Sequence, residues 1–261
     1  MPAPSGGWNG RTKPAEEIAW DAEDENEKTV AQDPEDELEK TVTMERMTLP
    51  TIVILADGRR YRGKPGITIL GRSKKASDIC VSDPERRVSG KHLKIVCMEG
   101  IQAVEDLNST NGTWLDGQAL EAGKPVSVRQ VCEVTLARTG ILLAFGPEAE
   151  SLWRAPSLLC LRCEETGETR FLWEGEMNLG RSHPWRNHVL ESKEISHAHA
   201  AVFQAADGWR IRDNSRNGTW LDGERMEPRG ESILETGDII GIGEHRFVVT
   251  ILRMDRGGMA G

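Results

Sequence analysis

The 261-residue chain is 38% hydrophobic and 29% charged, with a formal net charge of −9. That length accommodates one large or two ordinary domains, and the composition is that of a soluble globular protein with some unstructured length. The longest purely apolar runs, such as residues 141–145, are far too short to cross a bilayer, so no membrane association is expected.

The opening residues, MPAPSGGWNG, have neither a basic start nor an apolar core, so no secretory signal is read there. Five cysteines, an odd number without a regular framework, suit a reducing cytoplasm. Residues 1–47 hold 5 Lys/Arg against 13 Asp/Glu, and their Gly, Pro and acidic content cannot bury a core. They read as a disordered acidic tail. Within it Glu27-Lys28-Thr29-Val30 returns as Glu39-Lys40-Thr41-Val42. Two identical tetrapeptides, each presenting a threonine, favour modification sites at Thr29 and Thr41 over a chance repeat.

Beyond residue 50, short β-branched runs alternate with turn signals, and no sustained 3.6-residue apolar period appears. This predicts an all-β body. The body also repeats itself. Leu70-Gly71-Arg72-Ser73 returns as Leu179-Gly180-Arg181-Ser182, and Val88-Ser89-Gly90-Lys91-His92 as Ile195-Ser196-His197-Ala198-His199. Asn108-Ser109-Thr110-Asn111-Gly112-Thr113-Trp114 returns as Asn214-Ser215-Arg216-Asn217-Gly218-Thr219-Trp220. A repeat longer than 100 residues means duplicated domains rather than a solenoid. The expected division is 1–47 tail, 48–150 first domain and 151–261 second domain, with the boundary near 147–156.

Each repeat supplies an arginine after glycine, a serine three before a histidine, and an asparagine before glycine. A guanidinium forks onto phosphate oxygens, a hydroxyl adds a neutral donor, and an asparagine amide can hold a peptide backbone. Asn-Gly suits a turn with positive φ. Both bodies are nearly neutral, with charges of +2 over 48–150 and −3 over 151–261, so no basic stripe points to nucleic acid.

In these motifs and their order, both repeats resemble the forkhead-associated (FHA) family. The resemblance implies two tandem eleven-stranded β-sandwiches, each with loops at one end that bind phosphothreonine peptides. It implies phosphate contacts from Arg72 and Ser89, with Gly90 and Lys91 beside them. Asn111 would hold the peptide main chain next to Thr110, and His92 would be structural. The second set is Arg181, Ser196, His197, Arg216 and Asn217, with structural His199. The family's pattern often has a basic or amide residue after the key serine; here Gly90 and His197 stand there.

Other readings of these residues are weaker. Ser89/His92 and Ser196/His199 lack the nucleophile elbow and orienting acid of a hydrolase. The histidine-rich second domain shows no metal-ligand spacing, and no nucleotide loop is present, so no cofactor is expected. Cys160 and Cys163, three apart on a strand, would face opposite sides as core and edge thiols. The functional expectation is a cytoplasmic, non-enzymatic adaptor. It would bind phosphothreonine-containing proteins, and a serine/threonine kinase would phosphorylate its tail. The resemblance suggests that the phosphorylated tail folds back onto the domain in cis, with self-association in trans as the other route for the tail threonines. The rival is a phosphate-independent scaffold built on the same sandwiches.

Overall fold

The computed structural model describes residues 48–181 and 192–259, which places Thr29 and Thr41 outside the described residues. The first sandwich opens with β1 (Thr51–Ile54), β2 (Arg59–Arg62), β3 (Gly66–Gly71) and β4 (Ile79–Cys80). It continues through β5 (Leu93–Met98), β6 (Ile101–Asp106), β7 (Thr113–Leu115) and β8 (Gln118–Ala119). β9 (Val126–Ser127), β10 (Val131–Leu136) and β11 (Thr139–Ala144) complete its eleven strands.

One sheet runs β2-β1-β11-β10-β7-β8 and the other β4-β3-β5-β6-β9. Alternation explains the layering. In β10, Cys132, Val134 and Leu136 point inward while Val131, Glu133 and Thr135 face out. Inward residues from both sheets, among them Ile52, Leu70, Leu93, Ile95, Val104 and Leu143, form one buried core.

The second sandwich repeats this plan with β12 (Ser157–Cys163), β13 (Thr169–Leu172), β14 (Glu176–Leu179), β15 (Ala200–Ala205) and β16 (Gly208–Asp213). β17 (Trp220–Leu221), β18 (Glu224–Arg225), β19 (Glu231–Ile233), β20 (Ile239–Ile242) and β21 (His245–Arg253) follow. Its sheets, β13-β12-β21-β20-β17-β18 and β14-β15-β16-β19, reproduce the first domain's order strand for strand. Ten strands are described here rather than eleven. By the sequence offset, the counterpart of β4 falls within 182–191, outside the described residues.

Two features depart from the sequence expectation. A nine-residue helix, α1 (Gly146–Arg154), links the sandwiches. Pro147 sits in its first turn, Glu148 and Arg154 suit the helix dipole, and only Ala149 and Leu152 are buried. So short an element carries too few apolar residues for its period to show. The second departure is β22 (Asp255–Met259), which leaves the second sandwich and pairs parallel with β2 of the first.

The domains therefore share a seam. Val53, Leu142 and Ala144, on the outer face of the first sandwich, pack against Leu152, Ala155, Leu158, Cys160, Trp173 and Met254. Arg60 donates to the carbonyls of Leu152 and Ala155, which end the helix, and Thr51 Oγ1 donates to Ala149 O at 2.7 Å. Arg62 pairs with Glu150 at 2.9 Å, its guanidinium 4.7 Å from the Trp153 ring centroid. Cys160 lies in this seam rather than at an exposed edge, while Cys163 is in the second core. Burial pushes the Cys160 thiol up to about 12, so it behaves as a small apolar residue.

Candidate functional site

The candidate residues gather at one end of each sandwich, on the loops β3–β4, β4–β5 and β6–β7 and their counterparts. Backbone contacts set the first loop. A Cβ on Gly71 would lie 2.1 Å from Gly90 O, so only glycine lets the two loops touch. The contact is then zipped by Arg72 N to Ser89 O (2.9 Å) and Ser73 N to Gly90 O (3.2 Å). Gly180 is the equivalent in the second domain, where a Cβ would meet His197 O at 2.3 Å and Arg181 N donates to Ser196 O at 3.1 Å. Glycine before arginine is thus a packing requirement that delivers the arginine.

Arg72 is half-buried, and its Nε donates to Val88 O at 3.1 Å. That bond orients the guanidinium and leaves its two terminal nitrogens without a protein acceptor among the described residues. Arg181 is exposed, and the residues that follow it lie outside the described residues.

The histidines hold the serine loop. Ser89 N donates to His92 Nδ1 at 3.0 Å, and an amide can only donate, so the imidazole proton resides on Nε2. Nε2 then donates to Gly112 O at 3.0 Å, linking the serine loop to the asparagine loop. His92 is fully buried, and burial pushes its pKa below the ordinary histidine value against the opposing pull of the Gly112 carbonyl and Asp106. The second domain repeats the bridge, from Ser196 N to His199 Nδ1 (3.1 Å) and from His199 Nε2 to Gly218 O (2.9 Å). The imidazole meets the serine amide and not its hydroxyl, which is the wrong arrangement for a hydrolytic dyad.

Ser89 Oγ accepts from Thr110 N at 3.0 Å and has only a long 3.4 Å contact in which to place its proton. That hydroxyl can turn its proton to an incoming anion. Arg216 N takes the same role toward Ser196 Oγ at 3.3 Å, so Arg216 does occupy the position of Thr110. Asn111 Nδ2 donates to Arg87 O at 2.8 Å, and Asn217 Nδ2 to Glu194 O at 2.6 Å. Each exposed amide keeps its Oδ1 and a second N–H available. Gly112 and Gly218, with φ of +80° and +101°, make the turn that follows. Gly90, Lys91 and His197 stand beside the arginine–serine contact in their loops; Lys91 and His197 are exposed and Gly90 is half-buried.

Two residues central to this arrangement escaped sequence reasoning. Asp106 is buried and accepts from Ser109 N (2.7 Å), Ser109 Oγ (2.6 Å) and Thr113 Oγ1. Asp213 accepts from Ser215 N (3.1 Å), Ser215 Oγ (2.7 Å) and Thr219 Oγ1 (2.5 Å). Burial raises both carboxyls, but these hydrogen bonds together outweigh it and hold them below the usual range. The signal was an aspartate preceding both Asn-Ser pairs, at offsets differing by one residue. The extra residue sits in the first loop, where Asn108 adopts φ +54°.

Among the described residues no group of three or more His, Cys, Asp or Glu could hold a metal ion, and none of the five cysteines forms a disulfide. No helix among them is long and apolar enough to cross a membrane.

The family model for the FHA domain matches residues 68–137 and 177–243, together a little over half of the chain. A stretch of 100 residues is 31% identical to the oxoglutarate dehydrogenase inhibitor of Corynebacterium jeikeium, covering 38% of this chain and 67% of that protein. An FHA domain-containing protein of Arabidopsis thaliana is 36% identical over 84 residues, 31% of this chain and 21% of that one. Among solved structures, one from a structural and functional analysis of phosphothreonine-dependent FHA domain interactions is 26% identical. It covers 38% of this chain and 99% of that chain, at a TM-score of 0.34. The FHA domain of a Chlamydia trachomatis protein is likewise 26% identical, covering 38% and 99%, at a TM-score of 0.35.

Proposed function

This chain belongs to the FHA family, and on that footing we propose that it is a signalling adaptor that binds phosphothreonine peptides at both domains. FHA domains are binding modules without catalytic chemistry, and this chain is one of them rather than an enzyme. The observation that carries the proposal is the convergence of three loops. Each brings one donor to the same end of a sandwich: guanidinium, hydroxyl and carboxamide. In both domains a buried histidine and a buried aspartate fix the loops behind them.

Arg72 and Ser89 contact the phosphate in the first domain, while Asn111 holds the peptide main chain and Gly90, Lys91 and Thr110 line the approach. Arg181, Ser196 and Asn217 do the same in the second, lined by His197 and Arg216. Partners are phosphothreonine-containing proteins, including the chain's own tail once a serine/threonine kinase has modified Thr29 or Thr41. We place this activity in the cytoplasm, where cysteines outside disulfides stay reduced.

The test is calorimetry with a degenerate phosphothreonine peptide pool and its unphosphorylated copy, on the full chain and on Arg72→Ala, Arg181→Ala and the double variant. The adaptor reading expects phosphate-dependent binding that each single variant reduces and the double variant abolishes. Equal binding of both pools would instead support a phosphate-independent scaffold.

A further inference from the structure

The binding end of the first domain carries more positive charge than a phosphate requires, and hydrogen bonds fix where it lies. Ser73 is bonded to Gly90, so Lys74 and Lys75 on one loop and Lys91 on the next stand on the same side of the Arg72–Ser89 pair. Asn111 is bonded to Arg87 O, so Arg86 stands on the other side, beside the asparagine. Lys74, Lys75, Arg86 and Lys91 are all exposed. The nearby carboxylates are already engaged: Asp83 Oδ2 by Val88 N, Glu85 by Arg87, Asp78 by Lys64 and Ile69 N, and Asp106 by its three donors. A phosphothreonine seated between Arg72 and Asn111 would therefore have a basic rim on both sides.

The second domain keeps a basic residue at one matched position, Lys193, and adds Arg216 beside its asparagine, but loses charge at two others. Asn217 bonds to Glu194 O where Asn111 bonds to Arg87 O, which aligns Glu194 with Arg87 and Lys193 with Arg86. Ala198 stands before His199 where Lys91 stands before His92.

We propose that the first domain selects phosphothreonine peptides whose flanking residues are acidic on both sides, through Lys74, Lys75, Arg86 and Lys91. This rests on the phosphothreonine reading above and names the peptide class for one of its two sites. The chain's tail meets the N-terminal half of that description, with a lysine directly before each threonine. Asp33-Pro-Glu-Asp-Glu-Leu-Glu-Lys-Thr41 and Asp24-Glu-Asn-Glu-Lys-Thr29 both approach their threonine through carboxylates. Exposed charge pairs are individually weak and fade with salt, so discrimination should be cumulative and ionic-strength dependent.

The experiment uses the full chain carrying Arg181→Ala, which leaves only the first site. Three phosphothreonine peptides, flanked by Glu, Ala or Lys, and an unphosphorylated Ala-flanked control are titrated by fluorescence anisotropy at low and high salt. The Glu-flanked peptide should bind about tenfold tighter than the Lys-flanked one at low salt, and within about twofold of it in 1 M salt. A Lys74→Gln/Lys75→Gln/Arg86→Gln variant should lose that discrimination while holding the Ala-flanked phosphopeptide within about threefold of the parent. Equal affinity for Glu and Lys flanks, or discrimination that survives the triple variant, overturns the proposal and leaves the phosphothreonine reading standing. Failure to distinguish the phosphorylated from the unphosphorylated Ala-flanked peptide sinks that reading and this proposal together.

Discussion

Replacing Arg72 separates binding from folding more cleanly than any other change. The loop contact that shapes the site is made by its backbone amide, to Ser89 O, and survives any side chain. Arg72→Ala therefore removes one part-buried side-chain hydrogen bond, to Val88 O, which costs about 1–2 kcal/mol of stability. The loss in binding is larger. Two terminal nitrogens point away from protein acceptors, and each charge-assisted bond to a phosphate oxygen contributes about 1.5–3 kcal/mol. Losing the pair removes about 3–6 kcal/mol and should weaken the phosphopeptide by at least about a hundredfold. Arg72→Lys returns the charge without the planar fork and should recover only part of the loss. Calorimetry in the Arg181→Ala background, with melting temperatures measured in parallel, gives both quantities. Unchanged affinity for Arg72→Ala, or a loss that tracks unfolding, would refute the assignment.

Other outcomes follow from the loop scaffold and the tail. Asp106→Ala strands the Ser109 amide and the Thr113 hydroxyl and should destabilise the protein by about 2–4 kcal/mol, read by urea denaturation, with Asp106→Asn milder. Because the pKa of folded His92 lies below that of an unfolded histidine, the unfolded chain binds more protons as pH drops under about 6.5. Stability should be full above that value and fall below it; a melting temperature that rises from pH 7.5 to 5.5 would contradict this. Asp106 and Asp213, held low, add a second loss below about pH 4. For the tail, Thr48 O lies against Cys97, at the end of β5 away from the site, so the tether starts there. Thr41, seven residues back, reaches at most about 25 Å, little more than the strand and loops it must pass, whereas Thr29 reaches about 65 Å. Phosphorylated Thr29 should perturb NMR amides at 71–73 and 109–112 within the same molecule, abolished by Arg72→Ala. Phosphorylated Thr41 should act between molecules, and a concentration-independent effect from it would refute the geometry.

Much of this was legible beforehand because the repeat is written in turn chemistry. Gly-Arg, Ser-x-x-His and Asn-Gly each mark a place where backbone approach or positive φ leaves little choice of residue, so they stood out. The strands followed from their β-branched alternation. What stayed hidden depends on contacts between distant segments. Asp106 and Asp213 are ordinary acids in a charged chain until the fold buries them under their own loops. Helix α1 is too short to show a period. Nothing local marks Val53, Leu142 and Cys160 as a seam, because an outward apolar residue on a strand looks the same whether a neighbouring domain covers it or not. This seam is also why the binding tests use point variants of the whole chain: cutting it would bare that face.

The pairing of β22 with β2 sets a clock on synthesis. β2 is completed at Arg62, but the strand that covers its open side begins at Asp255, almost two hundred residues later. The first sandwich is complete at Ala144, so at about 5–20 residues per second it waits roughly 5–20 s with that backbone edge uncovered. Unpaired edges recruit strands from other chains, so this interval, more than the finished protein, is where neighbouring nascent copies can cross-pair. A ribosome stalled after the first domain would hold its product in that vulnerable state, and arrival of 255–259 is the event that ends it.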